Sequence, residues 1–177
     1  MLLCSPVSNI CPHLLPNKDW SIATKFLQVY DYGYHTGVDL NKNFENGVMR
    51  WNDDALKPLY AAMDSEVTFA RNVGGSWNSL LVLKVACQEF LFFRYGHIAN
   101  IRVKEGQQVR VGEHIANIGK SGGSFGNHHL HFEVITDKFV LQNPSRWHGG
   151  DERRARTLYV DPVQFYSSFN TYLATQE

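Results

Sequence analysis

The sequence has no excess of charge of either sign and no long apolar run. It carries 17 Lys+Arg against 17 Asp+Glu, so its formal net charge is zero. Without a basic field there is little to attract a phosphate backbone, and nucleic acid is not an expected partner. No run of about 18 apolar residues occurs, so no membrane span is expected. Residues 1–6 lack the charged leader and apolar stretch of a signal peptide, so we expect the signal of an exported protein to be missing from this chain.

Cysteine is also scarce. The three cysteines are Cys4, Cys11 and Cys87, and because none of them has C-x-x-C spacing, a cysteine-based metal site is not expected. Cys87 lies in an apolar, strand-like run, which predicts a small buried hydrophobic residue. Cys4 and Cys11 are close enough in the chain to form a disulfide, but nothing in the sequence decides whether they do.

The chain is long enough for one domain with a substantial core, at 177 residues of which 44% are hydrophobic. Residues 1–19 contain three prolines and predict an irregular N-terminal arm, and residues 20–177 predict the domain proper. Its short β-branched or aromatic runs, broken by Gly, Asn and Asp, indicate a β protein. Residues 79–86 and 89–95 predict an antiparallel hairpin, and residues 101–118 predict a tightly turned β segment.

Two polar stretches and one helix complete the expected organisation. Residues 41–56 and 137–157 are rich in polar residues and glycine, which predicts long loops around the domain. Asp161 followed by Pro162 is typical of a helix N-terminus, and apolar residues then recur at four-residue spacing. We therefore expect a C-terminal helix from about residue 161 that caps one end of the sheet.

The eight histidines include two clusters that suggest a metal site. His129 and His131 would share one face of a strand, roughly 6 to 7 Å apart, which is close enough for one site. His35 and Asp39 would lie about 13 Å apart on a straight strand, so they could bind one ion only if Gly37 bends or bulges the chain. From spacing alone, His35 and Asp39 could equally be surface residues of a strand.

The chemistry of such a set is that of a catalytic metal centre. Two histidines and one carboxylate with an open fourth position are typical of catalytic zinc rather than structural zinc. A divalent cation facing a single carboxylate leaves the site net positive, which lowers the pKa of bound water and polarises a carbonyl group. A further histidine nearby can act as general base or acid near neutral pH.

These residues resemble a known family. The motifs His35-x-x-x-Asp39 and His129-x-His131, the second within the string 126–134, resemble those of the lysostaphin/LytM-type zinc endopeptidases that cut peptidoglycan cross-bridges. Three further segments are similar to other parts of the family, so the resemblance covers roughly residues 20 to 166. They are residues 58–67, 95–112 and 159–162. The resemblance implies a mainly β fold of the duplicated hybrid motif type, with a compact antiparallel sheet core, long loops around a groove and a short C-terminal helix.

The resemblance also implies a role for each residue of the site. His35, Asp39 and His131 would bind one Zn²⁺ per chain, and His129 and His97 would position the attacking water and shuttle its proton. The implied function is that of a zinc metallopeptidase that hydrolyses stem or cross-bridge peptides of peptidoglycan. A monomer that acts outside the cytoplasm, in the periplasm, at the cell envelope or after secretion, is expected.

The other histidines have weaker claims on the site. His128 has no counterpart in the motif and should face away from the metal by strand alternation. His114 and His13 are expected to be structural or solvated. His148, in the predicted loop, could approach the cleft. The family often has glycine where Ser65 stands, which leaves the turn there open.

Two other classes of function compete with the enzyme. A catalytically silent relative could serve as a wall-binding module or as an activator of another wall hydrolase, although such relatives usually lose ligands. A carrier or phosphotransfer domain could also use a compact β fold. A lipoyl-type carrier needs a lysine at an exposed hairpin tip, and Lys104 lies near such a turn but lacks a recognisable apolar flank.

Overall fold

The computed structural model describes residues 2–7, 19–42, 54–86, 88–122 and 126–174. Within these residues the chain forms thirteen strands and three helices. The strands are β1 (Trp20–Thr24), β2 (Val29–Tyr30), β3 (Gly33–Tyr34), β4 (Val38–Lys42), β5 (Pro58–Tyr60), β6 (Ser65–Gly74), β7 (Asn78–Val85), β8 (Phe92–Gly96), β9 (Ile98–Ala99), β10 (Gln108–Val109), β11 (His114–Ile118), β12 (Leu130–Ile135) and β13 (Tyr159–Val160). The helices are α1 (Phe139–Gln142), α2 (Glu152–Leu158) and α3 (Pro162–Ala174).

One large antiparallel sheet organises the molecule. Its strand order is β1-β4-β12-β8-β7-β6-β10, and β13 pairs with β12 beyond the end of β4. A three-stranded sheet, β5-β11-β9, and a two-stranded hairpin, β2-β3, complete the strands. Strand β12 lies near the centre of the sheet and is buried at every position, including the polar His131 and Glu133. The mainly β, antiparallel fold that the resemblance implied is confirmed.

The two faces of β12 separate the core from the polar site. Leu130, Phe132 and Val134 belong to the main apolar core, which also contains residues of β5, β9, β11 and α3. His131 and Glu133 alternate with them and point to the opposite face of the sheet. This alternation places the polar side chains of the centre on one face, where a cleft can reach them.

The predicted hairpin and turned segment are both present. Strands β7 and β8 pair antiparallel, and β10 and β11 follow turns in which Gly106 and Gly112 have positive φ values of 82° and 78°. Most of the predicted loop 41–56 lies outside the described residues.

The C-terminal helix begins where the sequence predicts, but it packs differently. The Asp161 carboxylate accepts a hydrogen bond from Val163 N at 2.9 Å and so caps the first turn. The fully buried ring of Tyr166 lies 6.4 Å from the ring of Phe132, between centroids. The prediction that this helix caps the end of the sheet is therefore wrong: α3 packs on the core-facing side of β12. None of the helices in the described residues is long and apolar enough to cross a membrane.

The sequence predicts a loop over the polar stretch 137–157, and this prediction is wrong in part: the stretch contains α1 and most of α2, and residues 143–151 between them are irregular. The Asp151 side chain accepts a hydrogen bond from Arg154 N at 3.1 Å at the start of α2. Glu152 and Arg156, one turn apart, form an ion pair at 2.7 Å. Capping and charge pairing stabilise a short helix whose surface is mostly solvated, so its sequence lacks the apolar periodicity by which helices are recognised.

The N-terminal residues 2–7 are irregular, as predicted, and pack against the main core. The hydroxyl of Tyr166 donates to the carbonyl of Cys4 at 2.6 Å, and Cys4 is fully buried. Cys4 is in a disulfide, whereas Cys11 and Cys87 lie outside the described residues. The division into an arm and a domain remains a prediction.

Candidate active site

Three side chains meet on the polar face of the large sheet. Asp39 on β4 and His131 on β12 are register partners, and His35 lies just before β4. His35 Nε2 and His131 Nδ1 are each 3.0 Å from Asp39 Oδ1 and 2.9 Å from one another. The three candidate ligand atoms therefore converge on one point, all within 4.8 Å of one another.

The bend that joint ligation requires occurs at Gly37. The chain turns there between His35 and the start of β4, and the glycine packs directly against β12. A Cβ at this position would overlap the carbonyl oxygen of Phe132 and lie 2.7 Å from Cγ of Glu133. Only glycine allows this close approach, which brings His35 next to Asp39 although three residues separate them in the chain.

The donor set fits a divalent metal. Ligands about 2.0 to 2.1 Å from a tetrahedral ion lie roughly 3.3 Å apart, so the three atoms of His35, Asp39 and His131 need to separate by only about 0.4 Å. Two imidazoles and one carboxylate suit zinc and related transition metals. Burial would raise the pKa of Asp39, but hydrogen bonds from His131 and His35 outweigh it and hold that pKa well below its usual range. The Asp39 carboxylate is thus anionic at neutral pH, the charge state in which it could bind a metal.

Two further histidines stand beside this point. The ring centroids of His97 and His129 are 4.7 Å apart. Nδ1 of His97 lies 3.2 Å from the carbonyl oxygen of Trp77, and Nδ1 of His129 lies 3.1 Å from that of Asn127. A carbonyl oxygen only accepts hydrogen bonds, so each neutral ring carries its proton on Nδ1 and has a lone pair on Nε2. Nε2 of His129 is 3.7 Å from Asp39 Oδ1.

The surroundings keep both of these rings neutral. Burial, assisted by the neighbouring His129 and His131, lowers the pKa of His97 to about 3. Burial also lowers the pKa of His129. The backbone of His97 has φ +59°, a conformation that non-glycine residues rarely adopt and that often marks a functional position. Both imidazoles are therefore in the state that accepts a proton at Nε2.

An open cleft of about 570 Å³ leads to the five residues. Its sides carry aromatic rings that sequence reasoning did not identify. We call Tyr30, Tyr32 and Trp147 the aromatic wall: the two tyrosine rings stack at 5.2 Å between centroids, and Tyr32 lies 6.0 Å from Trp147. Trp77 lines the cleft as well, 5.2 Å from the ring of His131. These aromatic rings and the candidate metal site line the same cleft.

A buried ion pair lies behind His131 and was also missed. Nε2 of His131 is 3.0 Å from Oε1 of Glu133, and Glu133 forms an ion pair with Arg94; neither Glu133 nor Arg94 is exposed. The hydroxyl of Thr36 donates to the same carboxylate. Burial would raise the pKa of Glu133, but Arg94 and His131 outweigh burial and lower it to about 2. Strand alternation could have placed Glu133 on the face of His131, whereas Arg94 is recognisable only through its register opposite Glu133.

The other described histidines do not line the cleft. The ring of His114 lies 5.8 Å from that of Tyr60, on the three-stranded sheet. The backbone of His128, just before β12, forms an isolated antiparallel β-bridge with Lys120. The ring of His148 packs on Phe139, with 4.6 Å between ring centroids. His148 therefore does not approach the site. His13 lies outside the described residues.

Comparison with known proteins identifies the family to which this chain belongs. The family model "Peptidase family M23" matches residues 33–144, so the chain belongs to peptidase family M23.

Similar curated proteins include a lipoprotein NlpD/LppB homolog of Pseudomonas aeruginosa, 35% identical over 78 residues, or 44% of this chain and 25% of the relative. The cell division protein DipM of Caulobacter vibrioides is 31% identical over 77 residues, or 44% of this chain and 12% of the relative. The chain thus spans a quarter or less of these two relatives. Lipoprotein NlpD of Yersinia enterocolitica is 31% identical over 91 residues, or 51% of this chain and 89% of the relative.

Solved structures share the fold at low sequence identity. The catalytic domain of the antimicrobial peptidase lysostaphin from Staphylococcus simulans has a TM-score of 0.60 at 18% identity, covering 84% of this chain and 92% of that one. A chain of the SpoIIIAH and SpoIIQ complex has a TM-score of 0.62 at 17% identity, covering 92% of this chain and 99% of that one. These likenesses show that the fold is shared over most of the chain.

Proposed function

We propose that this protein is a zinc-dependent metalloendopeptidase that hydrolyses peptide bonds in the stem or cross-bridge peptides of bacterial peptidoglycan. Membership of a peptidase family supports a peptidase related to peptidoglycan. The observation that carries the finer proposal is the convergence of His35, Asp39 and His131 within 4.8 Å at a cleft that also holds two neutral imidazoles.

Each side chain has a part in the proposed reaction. His35, Asp39 and His131 are the metal ligands, and zinc bound by them supplies Lewis-acid activation of water and of the scissile carbonyl. His97 and His129 position the attacking water; one of them accepts its proton at Nε2 and returns that proton to the leaving amine. Because their Nδ1 atoms face backbone carbonyls, the two rings are held in the tautomer that this transfer needs.

The proposed setting is outside the cytoplasm. Two of the relatives are named as lipoproteins and one as a cell division protein, and a structural neighbour is named as an antimicrobial peptidase. These names support the cell envelope as the location and wall peptides as the substrate. We also propose that the enzyme acts as a monomer. Membership of a peptidase family argues against the carrier or phosphotransfer alternative.

A second candidate is a catalytically silent member that binds the wall or activates another hydrolase. It is favoured by the names of the relatives, which describe lipoproteins and a cell division protein rather than peptidases, and by the likeness to a chain of the SpoIIIAH and SpoIIQ protein complex. The complete set of His35, Asp39, His97, His129 and His131 in one cleft favours the enzyme instead.

The two candidates are separated by zinc analysis after dialysis combined with identification of muropeptide products. The enzyme should retain one zinc per chain and release new peptide termini from the wall. Substituting His131→Ala should abolish both zinc and cleavage, whereas the matched control His114→Ala, outside the cleft, should retain both. A chain that holds zinc but cleaves no wall type, and whose H131A variant keeps its affinity for the wall, would instead be a binding module.

A further inference from the structure

The Glu133 carboxylate occupies an unusual position for a charged group. It is fully buried with Arg94 on the site-facing side of the large sheet. Taking two charges out of water is energetically costly, and apolar residues of similar size often stabilise such a position as well or better. An ion pair buried at this point therefore suggests a role other than stability.

The contacts of His131 leave one orientation for its ring. Nδ1 faces the candidate metal point, 3.0 Å from Asp39 Oδ1 and 2.9 Å from His35 Nε2. Nε2 faces Oε1 of Glu133 at 3.0 Å. An ionised carboxylate only accepts hydrogen bonds, so Nε2 carries the proton that faces Glu133, and a cation at the candidate metal point would replace the proton that Nδ1 otherwise directs at Asp39.

The carboxylate is itself fixed from several sides. Arg94 Nε donates to Glu133, and its Nη1 donates to the carbonyls of Pro144 and Arg146 at 2.9 Å each. The guanidinium carbon lies 4.5 Å from the centre of the Trp77 ring. Arg94 thus connects the Glu133 carboxylate to residues 144–146, the segment just before Trp147, which lines the cleft. With these contacts in place, neither the Glu133 carboxylate nor the Arg94 guanidinium can rotate independently.

We propose that Glu133 is a positioning residue, which accepts the Nε2 proton of His131 and so presents Nδ1 of that ring to the metal. The proposal rests on the proposed function, because it assigns a purpose to a group that supports a metal ligand. Carboxylates that accept the second N–H of a metal-bound histidine fix its tautomer and orientation, and their loss typically weakens metal binding 10- to 100-fold.

The wild-type protein provides the first test without any substitution. The protein is labelled with ¹⁵N at histidine, loaded with ¹¹³Cd²⁺ as a probe and studied by NMR. The metal should couple to Nδ1 of His131, and the Nε2 proton should be visible and slow to exchange with water because Glu133 holds it. Coupling of the metal through Nε2 of His131 would overturn the proposal.

Substitution provides the second test. Glu133→Gln should weaken zinc binding 10- to 100-fold, measured by competition with a chelator, and should speed exchange of the His131 Nε2 proton. The matched control is Glu105→Gln, a surface glutamate that also pairs with arginine, Arg71, at 2.6 Å; its zinc affinity should stay within twofold of wild type. A second control, Tyr166→Phe, removes a buried hydrogen bond on the other face of the sheet and should lower the melting temperature without changing zinc affinity.

The outcomes separate a positioning role from a purely structural one. A folded Glu133→Gln variant with wild-type zinc affinity and an unchanged Nε2 proton would refute the proposal. If that variant does not fold, Thr36→Val, which removes one hydrogen bond to the same carboxylate, should shift zinc affinity in the same direction by a smaller factor; an unchanged affinity would count against the proposal. None of these measurements uses wall cleavage, so a protein that binds zinc as described but cleaves no wall would contradict only the proposed function.

Discussion

Substituting Gly37→Ala is expected to damage both the fold and the metal site. The added Cβ would overlap the backbone carbonyl of Phe132 and approach Cγ of Glu133 to 2.7 Å. A central strand such as β12 cannot move aside easily, because neighbours pair with it on both sides. Overpacking of this kind typically costs about 1 to 3 kcal/mol, and contact with backbone favours the upper end.

The magnitude translates into a measurable shift. A loss of about 3 kcal/mol in a chain of this size lowers the melting temperature by roughly 6 to 12 °C. The displaced backbone also moves His35 relative to Asp39, and a loss of about 1.4 kcal/mol in ligand geometry weakens zinc binding tenfold. Melting of the zinc-free protein and zinc affinity by chelator competition measure the two effects separately.

The matched control is Gly150→Ala, because a Cβ at Gly150 would meet no atom within 4 Å. It should melt within about 1 °C of wild type and bind zinc normally. If Gly37→Ala matched wild type in both melting temperature and zinc affinity, the close approach of this bend to β12 would not be what holds the ligands together.

Three further predictions concern the cleft. His129→Ala should lower kcat by about 10²- to 10⁴-fold while one zinc per chain remains bound, as measured by turnover and metal analysis; loss of the zinc would make His129 a ligand. In the zinc-free protein His97 should stay neutral between pH 8 and pH 5, because burial lowers its pKa to about 3, and an NMR titration midpoint near 6.5 would contradict this. Tyr32→Ala removes a ring that is 70% exposed, so it should leave the melting temperature within about 1 °C but raise KM several-fold for wall peptides; an unchanged KM would remove Tyr32 from substrate binding.

The metal-site candidates were predictable from the sequence because their spacing is local. His129-x-His131 needs only strand alternation to reach one face, and His35 and Asp39 need only the bend at Gly37. That these two pairs belong together came from the family resemblance, since spacing alone left His35 and Asp39 as possible surface residues. The structure adds the reason: Asp39 and His131 are register partners on adjacent strands.

The supporting residues were missed because they depend on pairing between distant strands. Arg94 faces Glu133 through the register of β8 with β12, and Trp77 reaches the cleft through the turn that joins β6 to β7. Gly96 makes room for it, since a Cβ there would lie 2.9 Å from two atoms of the Trp77 ring. Contacts between residues on different strands leave no pattern in the local sequence from which they could be predicted.

The helix errors have a different cause. α2 buries a single side chain, Ala155, so its polar sequence resembles a loop, and its stability comes from the Asp151 cap and an exposed ion pair. For α3, Asp161 and Pro162 predict where the helix begins, but its apolar spacing does not say which side of the sheet the apolar face covers.

The most direct test of zinc-dependent wall hydrolysis is to identify the peptide products released from purified peptidoglycan by mass spectrometry. Protein freed of zinc by a chelator, the same protein reloaded with one zinc per chain, and the H131A variant would be compared on several wall types. We expect new peptide termini in stem or cross-bridge peptides only with the reloaded protein. Reloaded protein that holds one zinc per chain yet produces no new termini from any wall would contradict the proposed function.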